Sequence, residues 1–368
     1  MTDINQLIRP TLKRITPYSP GKDSKEACRE LGITEMTKLA SNENPLGPSP
    51  KAVAAMQEAA SGVNIYPDIP CADLTAALAA KFETAPEGIL IGRGSGEIIH
   101  MLGLAFLNPG DEVVYSQFPF ALYPGLANVL DGVGIEVPGR GFWHDLDAMA
   151  AAITPRTKLV ILGNPCNPTG TICTVDEVAQ FMAKVPDTAI VVFDEAYAEY
   201  ADAPCYGEGL PYVREGRRAI VLRTFSKIYA LAGLRIGYGM TTPEIGAILK
   251  LVREPFNIGL LSQVAALASL GDPEQVARSQ KLACDGKDYL YGEFDALGLE
   301  YVPTQANFIL VNVGIDSRDC FSKLMCQGVT VRTGDIFGLQ TWIRVTIGTQ
   351  AENGRFIVAL KAILDGNG

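Results

Sequence analysis

The chain has 368 residues, of which 48% are hydrophobic and 20% charged, and it carries a formal net charge of −10. That length exceeds what one hydrophobic core usually serves, so a large domain with a smaller companion is expected. The acidic balance excludes a general affinity for nucleic acid or anionic membranes, and any anion must therefore be held locally.

The opening stretch, MTDINQLIRPTLKRITPYSPGK, mixes charges and prolines with isolated apolar residues and lacks a signal-peptide core. No run of about 18 apolar residues follows it, so a cytoplasmic protein without a membrane span is the expectation. Helical patterns cover 49–60 and 72–82, and strand-like runs cover 89–94 and 111–116. KLVILGNP (158–165) is a further strand, and the helix over 174–185 opens with Thr174 and Glu177 spaced as a capping box. AIVVFDEAY (189–197), AIVLRTFSK (219–227) and RIGYGM (235–240) complete this half. Several runs are continuously apolar, which marks strands covered by helices on both faces of an α/β sheet. After about residue 250 come an Ala/Leu-rich helix, a charged helix and the strands NFILVNV (307–313), VTVRTG (329–334) and WIRVTIG (342–348), a smaller α+β unit.

Only two histidines occur, His100 and His144, and the eight cysteines form no C-x-x-C pair. Zinc sites, disulfides and Ser-His-Asp chemistry thus have little material, and no metal is expected.

Four stretches, each at a strand end, carry chemistry. In TFSKIYALAGLRIGYG (224–239), Lys227 enters a largely buried place, where lost hydration lowers an amine's pKa and readies it for an aldehyde. Thr224, Ser226 and Arg235 beside it offer donors for a dianionic phosphate. In DEAYAEY (194–200), Asp194 ends an apolar strand, where a carboxylate calls for a cationic partner such as a protonated pyridine nitrogen. Tyr197 is placed to donate to a ring oxygen. Read alone, a DEAY stretch more often has its acid as a helix cap and its tyrosine as packing, which would be the roles of Asp194 and Tyr197. GNPCNPTG (163–170) is a fixed loop that presents Asn167 as a neutral donor, and GRGSGEII (92–99) is a glycine-rich strand-to-helix turn whose free N–H groups suit an anion. An amine, a phosphate cradle, a ring-nitrogen carboxylate and 3′-oxygen donors together describe pyridoxal 5′-phosphate.

With KLASNENPLGPSP (38–50), YPD (66–68), REPFN (253–257), QANFILVN and IRVTIGT added, the chain resembles the fold-type I pyridoxal-phosphate aminotransferases, and among them the histidinol-phosphate aminotransferase family, over nearly its whole length. The resemblance implies a mostly parallel seven-stranded sheet between helices. It also implies an N-terminal arm over 1–40 that partly joins the small domain, a cofactor domain over 41–250 and a small domain over 251–368. It makes Lys227 the Schiff-base lysine, Asp194 the pyridine-nitrogen partner, and Asn167 with Tyr197 the 3′-oxygen donors. Ser226, Arg235 and the backbone at Ser95 and Gly96 go to the cofactor phosphate, beside the donor Thr224 already read from the residues, and Phe120 to the cofactor ring. Tyr66 would reach that phosphate from a neighbouring subunit, which implies a homodimer. For substrate, the resemblance assigns Arg344 to the α-carboxylate, Arg332 and Tyr18 to the far end of the donor, and Asn44 to the same site. Two positions depart from the family: Gly96 stands where an acid is usual, and Cys166 where asparagine is usual.

The implied reaction is amino transfer between L-histidinol phosphate and 2-oxoglutarate, giving imidazole acetol phosphate and L-glutamate in histidine biosynthesis. An aromatic amino-acid aminotransferase and a threonine-phosphate decarboxylase use similar sequences. A regulator carrying such a domain would need a DNA-binding segment, for which the acidic chain leaves little place.

Overall fold

The computed structural model describes residues 4–14, 28–29, 32 and 35–366. A seven-stranded sheet is built from β2 (Ile89–Gly92), β3 (Glu112–Ser116), β4 (Val133–Val137), β5 (Thr157–Gly163), β6 (Ile190–Asp194), β7 (Ala219–Thr224) and β8 (Gly237–Thr241). Its order is β2-β8-β7-β6-β5-β3-β4, and β8 alone runs against the rest. The apolar runs lie where both faces are covered, and alternate residues serve opposite layers. Val191 and Phe193 pack with Leu78, Phe82 and Phe181 on one face, while Ile190 and Val192 pack with Ile98, Leu102 and Leu126 on the other. The fold class read from the sequence is the one observed.

Helix starts follow their caps. Ser49 caps Pro50–Ala59, and Thr174 with Glu177 closes a reciprocal capping box on Val175–Lys184. A second sheet joins β9 (Tyr301–Val302), β10 (Phe308–Asn312), β12 (Arg332–Thr333) and β13 (Trp342–Thr346) in the order β12-β13-β10-β9. One face of it, with Ile309, Val311, Ile343 and Val345, packs on Phe294, Leu324, Phe356 and Leu360 of three helices. Strand alternation therefore turns Phe308, Arg344 and Thr346 to the opposite face. The short β1 (Thr37–Lys38) pairs in parallel with β11 (Val329–Thr330), tying the segment near residue 40 to the C-terminal part of the chain. Among the described residues no helix is long and apolar enough to cross a membrane.

Candidate active site

Strands β2, β5, β6 and β7 end together at one edge of the large sheet, where parallel α/β sheets place their ligands. A cavity of about 850 Å³ opens there, closed on its other side by Phe321, Arg332, Phe337 and Arg344. Ser95, Gly96, Phe120, Asn167, Asp194, Tyr197, Thr224, Ser226, Lys227 and Arg235 all line it.

Asp194, the last residue of β6, is 7% exposed. Its Oδ2 accepts the Tyr123 hydroxyl at 2.8 Å, while Oδ1 is buried and accepts no side-chain hydrogen bond among the described residues. Burial raises its pKa, opposed by the Tyr123 hydroxyl. A cation at Oδ1 would offset that cost, so the site fits a protonated ring nitrogen. Tyr123 is the functional residue that the motifs missed. It lies on the helix Leu122–Val129, whose only sequence signal is the spacing of Tyr123, Leu126 and Ala127.

Tyr197 turns its hydroxyl to Asn42 Nδ2 at 3.0 Å and Asn167 Nδ2 at 3.5 Å. Burial raises its pKa, opposed by the Arg344 charge and the Asn42 hydrogen bond, so it remains a neutral donor. Asn167 is held by its loop, since Asn164 donates to the Gly207 carbonyl at 2.7 Å and accepts the Cys173 N–H at 2.9 Å.

Lys227 follows β7. Its Nζ donates to the Ser41 carbonyl at 2.9 Å and stands 5.7 Å from the Tyr197 ring centroid. The side chain is partly open to the cavity but otherwise enclosed by protein. Burial first, and then the Arg344 charge, lower its pKa from 10.5 to about 7. A large share of neutral amine is thereby present at physiological pH.

Beside it is an anion cradle. Arg235, in left-handed backbone at φ 51°, directs Nη1 to Ser226 Oγ at 3.3 Å. The helix Ser95–Phe106 opens on the same spot. Gly94 has φ 73° and a Cβ there would stand 3.0 Å from Arg235 Nη2, while a Cβ on Gly237 would meet Ser95 N at 2.7 Å. Thr224 Oγ1 accepts the Ser226 N–H at 3.1 Å, fixing the turn. With its backbone N–H groups kept, Gly96 costs the cradle only an acidic side chain.

On the far wall, Arg332 and Arg344 are direct cross-strand partners of β12 and β13. Like charges in that relation repel, an arrangement that favours a ligand bringing negative charge to both. Arg344 donates to Asn167 Oδ1 and the Ala40 carbonyl, and lies 5.3 Å from the Phe308 ring centroid.

Three assigned residues are not brought to the cavity. Asn44 is buried behind it, donating to the Ile228 carbonyl at 3.0 Å and Ser279 Oγ at 2.8 Å. Tyr66 is 78% exposed and stacks on Phe256, outside the cavity lining. Tyr18 lies outside the described residues.

The chain is similar to known proteins of one family over most of its length. The model of "Aminotransferase class I and II" matches residues 34–360. A histidinol-phosphate aminotransferase of Moorella thermoacetica is 54% identical, with 97% of this chain and 92% of that protein covered. One of Akkermansia muciniphila is 46% identical over 95% and 96%. The crystal structure of the Sinorhizobium meliloti histidinol-phosphate aminotransferase in complex with pyridoxal-5′-phosphate superposes with a TM-score of 0.90 at 27% identity, covering 98% of each chain. With its strand-end lysine, carboxylate and anion cradle in this arrangement, the chain belongs to the class I and II aminotransferase family.

Proposed function

We propose that this protein is a pyridoxal-phosphate-dependent histidinol-phosphate transaminase, moving an amino group between L-histidinol phosphate and 2-oxoglutarate. The observation that carries the reading is the convergence of Lys227, Asp194 and the Arg235 cradle on a cavity whose opposite wall holds two arginines side by side. The relatives named above support the substrate pair.

In this reading Lys227 holds the cofactor covalently, Asp194 Oδ1 pairs with its ring nitrogen, and Asn167 and Tyr197 donate to its 3′-oxygen. Ser226, Arg235, Thr224 and the backbone at Ser95 and Gly96 hold its phosphate, and Phe120 flanks its ring. When bound, the cofactor supplies a sink for the electron pair left at the substrate α-carbon. Lys227 Nζ, with a large neutral share at physiological pH, takes the α-proton and returns it. Arg344 orients the α-carboxylate of glutamate, and Arg332, with Tyr18, meets the phosphate of histidinol phosphate. Asn44 acts behind the site by holding the Ile228 carbonyl next to Lys227.

The reading divides the chain into an arm over 1–40, a cofactor domain over 41–250 and a small domain over 251–368. It makes the protein a cytoplasmic homodimer whose Tyr66 serves the neighbouring site. Ile65, Tyr66 and Phe256 form an exposed apolar group that supports a covered surface there.

Phe321, Ile336 and Phe337 in the cavity wall favour one second reading, an aromatic amino-acid aminotransferase. Steady-state turnover with histidinol phosphate and with phenylalanine, each with 2-oxoglutarate, separates them. Higher kcat/KM for phenylalanine would replace the proposed donor.

A further inference from the structure

The segment that carries Asp194 and Tyr197 has a second, buried side. Glu195 is fully buried; its Oε1 accepts the Gly209 N–H at 2.6 Å and its Oε2 accepts Arg223 Nε and Nη2 at 3.1 and 2.8 Å. Arg223, on the next strand and 6% exposed, also donates from Nη2 to Glu208 at 3.0 Å. Its Nη1 stands 3.8 Å from Glu199, on the 3-10 turn Ala198–Tyr200. Both Glu199 carboxylate oxygens are buried, and neither accepts a hydrogen bond from another described residue.

The other charged group here is Lys81, from the helix Ala72–Phe82, whose Nζ donates to the Tyr229 hydroxyl at 3.1 Å. Tyr206 and Tyr238 face Arg223 from their own elements, and the helix Pro273–Ala296 contributes the Gln280 amide to the Glu199 carbonyl. Three carboxylates thus face two cations. Glu208 is half exposed and solvated, and of the two buried carboxylates only Glu195 is hydrogen-bonded to a cation, since Lys81 donates to Tyr229, so Glu199 is the carboxylate that neither cation meets directly. A buried carboxyl in that position keeps a proton. Burial, only partly opposed by Arg223, pushes Glu195 up to about 7 and raises Glu199 as well.

We propose that Glu195 and Glu199 are positioning residues that share one exchangeable proton on the back of the segment whose front carries Asp194 and Tyr197. Losing the proton sets two buried carboxylates against each other around one arginine. The turn bearing Glu199 then yields, and Tyr197, two residues earlier, moves with it. The pair titrates as a unit rather than as two separate residues.

The test is Glu199→Gln, which keeps the shape and cannot ionise, compared with the wild-type protein from pH 5 to 9. A folded-state pKa raised above the ordinary 4.5, as burial does for both carboxyls and to about 7 for Glu195, gives stability that is complete below 4.5 and is lost as pH rises through the raised value. The variant lacks that loss. Its melting temperature relative to wild type should therefore climb by a few degrees between pH 5 and 7 and then level. An ordinary ionised Glu199–Arg223 pair gives the opposite slope, and either that slope or a flat difference overturns the proposal. Should this variant not fold, Glu195→Gln, in which Glu199 inherits Arg223, must show the same sign. For the positioning role, the ratio of kcat in Glu199→Gln to wild type should rise severalfold from pH 6 to 8.5, and a constant ratio overturns that role. The turnover arm rests on the transaminase reading and the melting arm does not, so failure of that reading leaves the melting difference in place.

Discussion

At Lys227 the physics of one side chain sets the chemistry. Enclosure and the Arg344 charge bring its amine to about 7, so the neutral nucleophile is the majority form just above that pH. Covalent attachment of pyridoxal phosphate to the cofactor-free protein should speed up as pH rises through about 7 and then level. A rate still climbing beyond pH 9 would mean an unperturbed lysine. Lys227→Ala should lose both the borohydride-reducible linkage and transamination, and a reducible adduct on the variant would place the linkage on another lysine. Asp194 is a complementary case: its buried Oδ1 is costly unless a cation meets it. Asp194→Asn removes the charge and keeps the Tyr123 contact available. It should retain cofactor while kcat falls by at least about a hundredfold. Near-normal turnover would rule out the role.

At the scale of elements, β12 and β13 decide what the far wall recognises. Their register puts Arg332 opposite Arg344, and Arg332 is half buried, so its loss from a phosphate contact should cost about 2 kcal/mol, roughly thirtyfold in kcat/KM. Arg332→Ala should show that loss with histidinol phosphate and much less with phenylalanine, a contrast that cancels general damage. Equal losses would leave Arg332 without a phosphate to bind. Element prediction also shows where sequence signals end. The capping box at Thr174 and the apolar strands were legible because local chemistry and burial coincide there. Edge strand β4 was not read: Val133 is 44% exposed, and a strand covered on one side only has no continuous apolar run. The helix carrying Tyr123 was missed for a similar reason, being two turns long with no side-chain cap.

For the whole molecule, the cavity takes its walls from both sheets and from the segment around Ser41, so its completeness depends on how those parts pack. Tyr66 is exposed and lies outside the cavity lining of its own chain, a placement compatible with the proposal that it serves a neighbour. Mixing Tyr66→Ala with Lys227→Ala protein, under conditions that exchange subunits, should restore activity that neither has alone, because one mixed site is then fully native. A monomer retaining full activity on dilution would contradict the dimer.

The sequence by itself determined the layered α/β fold and the four strand-end motifs, and it singled out the lysine proposed as the reactive amine. Each of these depends on residue type and local spacing: continuous apolar strands, glycine where the backbone must approach Arg235, an acid at the end of β6. Tertiary structure decided what lies across from them. The Tyr123 hydrogen bond to Asp194 spans 71 residues, Lys227 is held by the Ser41 carbonyl 186 residues away, and Asn44 turns out to brace the Lys227 loop from behind. The buried face of DEAYAEY is of the same kind. Nothing in that heptapeptide shows that Glu195 and Glu199 will meet one arginine, because their shared partner is brought in by pairing of β6 with β7.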